Sequence, residues 1–202
     1  MNYFEFFTLP RKLTLDVVAL EKQFYALSRR LHPDRFASKT VAEQEAALAQ
    51  SSLLNDAYRT LKDSILRTQY LLKVEGVELE EQSKAATDAA RATGVEKKQV
   101  VPPELLEEVF ELNMQLQEMR AAKRMGEDEP ELRRDLMTAK DAFDSKMVET
   151  QAELEGLWMA WDSAVDAGDE TSKARARDAM VSLLNKRSYL RNLVRDVNEA
   201  LE

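Results

Sequence analysis

The chain contains no cysteine. That excludes disulfides, thiolate zinc sites and cysteine-ligated iron–sulfur clusters. A single histidine, His32, excludes the His-Glu-x-x-His metallohydrolases and leaves only carboxylates as metal ligands, none of them persuasively clustered. The five glycines, at 76, 94, 126, 156 and 168, stand too far apart for a Gly-x-x-x-x-Gly-Lys phosphate loop. No Gly-x-Ser-x-Gly elbow accompanies His32 and Asp34. No apolar run approaches the roughly 18 residues that span a bilayer. The opening MNYFEFFTLP has neither a basic segment followed by an apolar one nor the Arg-rich pattern of a transit peptide. A cytoplasmic protein is expected, with no metal, no cofactor and no membrane partner.

What is present is charge and helical periodicity. The 202 residues are 33% charged and 44% hydrophobic, which suits one medium domain or two small ones rich in helix. The net charge of −8 is unevenly spread. Residues 1–75 carry 11 Lys and Arg against 9 Asp and Glu, whereas the remainder carries 18 against 28. An acidic bulk argues against nucleic-acid binding, which needs a basic field to engage phosphates. A small basic patch facing an acidic protein surface remains compatible with it.

Apolar residues at Val17, Leu20, Phe24, Leu27 and Leu31 share one face of a helix over 14–31, with Thr14 or Asp16 as its cap and Pro33 beyond its end. At about 100° per residue, Lys22 and Arg29 fall opposite that stripe, beside Tyr25. A second helix covers 41–61, and a shorter one ends before Gly76. Residues 77–103 are polar and weakly periodic and read as a linker, with Pro102–Pro103 opening the next helix. Three amphipathic segments follow, at 104–125, 130–167 and 171–201, and predict an antiparallel bundle. No strand pattern competes. The fold class expected is all-α, with domains at 1–76 and 104–202 joined by the linker.

The histidine lies in RRLHPDRF, between the first two long helices. Taken alone, it reads as a loop histidine beside a helix-stopping proline, and the basic helix face as a solvated one. The joint arrangement says more. A helix with a basic outer face, then His32-Pro33-Asp34, then a helix ending LNDAYRTLKD with Arg67 and Tyr70 beyond, resembles the J domain of DnaJ-like co-chaperones. YFEFFTLP at the start, HPDRFAS at the loop, LRTQYLLKVEG at the end of the segment and a bundle finishing SYLRNLVRDVNEALE are similar to the HscB family. Those are J-domain co-chaperones of iron–sulfur cluster assembly. The resemblance covers most of the chain apart from 77–103, and the missing N-terminal cysteine-rich module of some relatives favours the bacterial form.

The resemblance implies that His32, Pro33 and Asp34 engage an ATP-dependent chaperone of the DnaK/HscA type and stimulate its ATPase. Lys22, Arg29 and Arg30, with Tyr25 among them, supply the positive face, and Arg35 stands beside the loop. It implies no enzymatic chemistry in the chain itself. It also implies a second partner, the iron–sulfur cluster scaffold protein, since a chain without cysteine acts on a protein that holds the cluster. On helix 104–125, Leu106, Phe110 and Met114 form a second apolar stripe, roughly 100–180° from the core stripe. By pattern alone it fits a client face, or packing on another bundle helix or on the J domain, equally. In the family the scaffold binds this part of the first bundle helix, so Leu106, Phe110 and Glu111 carry over. Met114 stands where relatives often carry an acidic residue. A general J-domain co-chaperone with a different client, a coiled-coil dimerisation protein and an enzyme using His32 are the rival readings.

Overall fold

A computed structural model describes residues 2–77, 79 and 101–202. Among these residues are seven α-helices and no strand, as the all-α expectation requires. They are α1 (Tyr3–Phe6), α2 (Val17–Leu31), α3 (Val41–Lys62), α4 (Ser64–Val74), α5 (Leu106–Met125), α6 (Pro130–Ala167) and α7 (Glu170–Leu201). Short 3₁₀ turns occupy Pro33–Phe36 and Pro103–Leu105. Most of the linker expected at 77–103 lies outside the described residues. The chain divides into two compact units: Met1–Leu79 with Gly156–Met180, and Glu80–Glu155 with Val181–Glu202.

The first unit is built on the α2–α3 pair. Asp16, not Thr14, caps α2, its carboxylate accepting from the Ala19 N–H at 3.0 Å. Thr40 and Glu43 form a reciprocal capping box that starts α3. Leu20, Leu54, Ala57 and Leu61 are buried where the helices meet. Phe24 stacks on Tyr58 at 4.1 Å between ring centres, and the Tyr58 hydroxyl donates to Glu21 at 2.9 Å. The buried Arg67 of α4 donates to the Leu61 carbonyl at 2.6 Å, which satisfies an orphan acceptor in the last turn of α3. Burial pushes the pKa of that guanidinium down.

Packing brings residues 156–180, the ends of α6 and α7 around Gly168, together with the N-terminal helices. Between α1 and α2 the chain has no regular structure, so its backbone donors need partners. The N–H groups of Leu13 and Thr14 donate to the buried Asp162 at 2.7 and 2.8 Å, and the Thr14 hydroxyl donates to the same carboxylate. The Trp161 indole N–H donates to the Arg11 carbonyl at 3.0 Å. Glu75 pairs with Arg11 at 3.6 Å and with Lys173 at 3.1 Å. Gly168, at φ +65°, makes the reversal between α6 and α7 without the strain a side chain would meet there.

The second unit is the bundle formed by α5 with residues 130–155 of α6 and 181–201 of α7. On α5 the buried set is Val109, Leu112, Leu116 and Met119, with Leu105 just before it, as the spacing predicts. Leu132, Leu136 and Phe143 of α6 meet them, as expected. On α7, Leu190 and Val197 are fully buried, and the buried face is wider than a seven-residue repeat. Leu184, Tyr189, Leu193 and Ala200 are buried, while Leu183, Val194 and Leu201 are only half-buried. The Tyr189 ring fills part of this core although its hydroxyl is polar.

Candidate functional site

Pro33 determines the shape of the loop. It disfavours helical geometry at the residue before it, and His32 accordingly leaves α2 at ψ 128°. Pro33 then opens the 3₁₀ turn, closed by the Arg35 N–H donating to the His32 carbonyl at 3.0 Å. The Arg35 side chain reaches back to the Arg29 carbonyl at 3.2 Å, capping the last turn of α2. On the far side, Gln44 donates to the carbonyls of Ala37 and Lys39 at 3.2 and 3.0 Å. The loop is thus tied to both helices.

Its tip is open to solvent. The Asp34 side chain is 89% exposed and that of His32 55%. His32 Nδ1 lies 3.3 Å from the Asp34 N–H and 3.4 Å from its carboxylate. These contacts are alternatives, because Nδ1 accepts in the first and donates in the second. With both side chains in water, neither holds the ring firmly. Lys22, Tyr25, Arg29 and Arg30 are all exposed. Among the described residues Lys22, Arg29, Arg30 and Arg35 form no ion pair, so the positive charge faces outward uncompensated. Arg29 and Arg30 also sit in the last turn of α2, where the helix dipole favours cations. Loop and helix together form an exposed, positively charged surface.

Sequence reasoning missed one member of that face. Val18 is exposed and lies in the row Val18–Lys22–Tyr25–Arg29, at steps of four, three and four. Its neighbour Val17 is half-buried, and adjacency to an apolar residue masked the signal. Val41 and Leu48 of α3 are likewise exposed apolar residues on one side of their helix, seven apart. That spacing was present in the sequence.

In the second unit, α5 turns Val109, Leu112 and Leu116 into the core and leaves Leu106, Phe110 and Met114 outside, at 56%, 69% and 57% exposure. Among the described residues the stripe is therefore left open to solvent. Glu107 and Glu111 are exposed beside it. An aromatic residue in the middle of an exposed apolar row with an acidic border has the composition of a contact surface.

A helix pair closed by a His-Pro-Asp turn, together with a helical bundle, defines a J-domain co-chaperone. The chain is 34% identical over 179 residues to a Co-chaperone protein HscB homolog of Vibrio cholerae serotype O1 (strain M66-2), across 87% of this chain and 90% of that protein. It also matches the structure of Chaperone HscB from Vibrio cholerae with a TM-score of 0.59 and 27% identity, over 98% of this chain and 96% of that one. The crystal structure of human co-chaperone protein HscB shares the fold, with a TM-score of 0.58 and 23% identity over 98% and 81%. No family model matches the chain. The chain belongs to the HscB family of co-chaperones.

Proposed function

We propose that the chain is an adaptor of iron–sulfur cluster assembly in the bacterial cytoplasm, with no catalytic chemistry of its own. Residues 1–76 act as the J domain. His32, Pro33 and Asp34, with Lys22, Tyr25, Arg29, Arg30 and Arg35, engage a DnaK/HscA-type chaperone and stimulate its ATPase. Residues 104–202 carry the client, an iron–sulfur cluster scaffold protein, on Leu106, Phe110, Glu111 and Met114. The observation that carries this reading is the presence of two exposed faces of opposite character in one chain: a basic one around a fixed loop and an apolar, acid-rimmed one on α5. Holding both partners on one chain raises the effective concentration of the scaffold at the chaperone.

Charge reversal separates the two faces. In Lys22→Glu/Arg29→Glu, association with the ATP-bound chaperone is expected to slow about tenfold or more at low salt, because steering by the basic face is lost. Scaffold affinity should stay unchanged. Wild-type association should also slow as salt screens the exposed charges. Surface plasmon resonance at several salt concentrations measures both. Salt-independent chaperone binding, or equal loss of both partners, contradicts the two-face arrangement.

A further inference from the structure

Between α5 and α6 the bundle unit carries a groove of about 400 Å³. Its apolar lining is Leu112, Ala139, Ala142 and Phe143. Its polar lining is Glu108, Glu111, Gln115, Asp135 and Thr138. Glu108, Glu111, Asp135 and Thr138 present acceptors to it. The Thr138 hydroxyl donates to the Arg134 carbonyl at 3.0 Å, which leaves its oxygen lone pairs. Gln115 Oε1 is buried without a protein hydrogen-bond partner. Glu108 meets Lys146 at 3.1 Å, but Glu111 and Asp135 form no ion pair among the described residues. Such a lining suits a long side chain with a hydrocarbon stem and a donor-rich, positively charged head.

We infer that this groove receives an arginine side chain of the client protein, its stem against Ala139 and Ala142 and its guanidinium between Glu111 and Asp135. Arginine fits better than lysine because its donors fan out in a plane and match acceptors on both walls, whereas an ammonium is a compact point charge. The inference rests on the client-binding reading of α5, and the groove continues that face: Glu111 lines it and follows Phe110 in the chain. The apolar stripe would then supply hydrophobic contact, and the groove would fix the register of the partner by charge.

Asp135 provides the test, since it is exposed on α6 and lies outside the apolar stripe. Binding of the purified iron–sulfur scaffold protein is measured by calorimetry at low and high salt, for wild type, Asp135→Asn, Asp135→Lys and Phe110→Ala. Asp135→Lys is expected to weaken binding about tenfold or more at low salt and to flatten its salt dependence. Asp135→Asn should show a smaller loss and, being isosteric, decides the matter if the lysine variant misfolds. An arginine-to-glutamine scan of the scaffold should find one position whose loss is silent in the Asp135 variants. Unchanged affinity in both Asp135 variants, with weakened binding in Phe110→Ala, overturns the groove and leaves the client reading standing. Failure of the wild type to bind the scaffold overturns both.

Discussion

Asp34→Asn is expected to abolish stimulation of the chaperone ATPase while leaving the protein folded. The substitution keeps size and removes a charge from a side chain that is 89% exposed. Among the described residues its carboxylate pairs with the His32 ring, at 3.4 Å, and exposed pairs of this kind contribute little to stability. The turn is held by other groups: the Arg35 N–H on the His32 carbonyl, and the Arg35 side chain on Arg29. Helicity and melting temperature should therefore remain near wild type. Against the chaperone, the same carboxylate can accept a charge-assisted hydrogen bond. Such bonds are worth about 1.5–3 kcal/mol, roughly a tenfold to hundredfold change in productive engagement. His32→Gln should behave in the same way. Steady-state ATPase assays beside circular dichroism distinguish the outcomes, and stimulation retained in both variants would remove the loop from the mechanism.

Phe110→Ala should separate client binding from everything else. The ring is 69% exposed, so its removal opens no cavity, and a surface change of this kind alters stability by about 0.5 kcal/mol at most. A buried phenylalanine would instead cost about 3–5 kcal/mol on truncation. At the centre of a contact surface, the loss of an aromatic anchor costs about 2 kcal/mol or more of affinity, roughly thirtyfold. Scaffold binding and the additional ATPase stimulation that scaffold brings should fall together, with stimulation by the chain alone unaffected. Undiminished scaffold affinity would place the client elsewhere on the bundle.

The sequence was most legible where periodicity and capping agree. On α5, five apolar positions at steps of three and four fix the buried face, and the same arithmetic leaves Leu106, Phe110 and Met114 outside. The loop was legible because proline acts locally, ending α2 whatever surrounds it. Contacts made by polar side chains across the chain were not. Asp162 lies on a helix face that periodicity treats as solvent, yet it holds Leu13 and Thr14, which are about 150 residues away in sequence. Nothing local distinguishes it from Asp166 one turn later. The grouping of residues 156–180 with the N-terminal helices was hidden for the same reason. The groove was hidden as well, because only the facing carboxylates of α5 give Ala139 and Ala142 a role there.

The most direct measurement is the ATPase rate of the purified chaperone with the full chain, with the scaffold protein, and with both together. An adaptor that holds both partners at once should give modest stimulation alone, little from scaffold alone, and much more than the sum when both are present. Stimulation by the chain that is unaffected by scaffold would contradict the adaptor function, and no stimulation under any condition would contradict the co-chaperone mechanism itself.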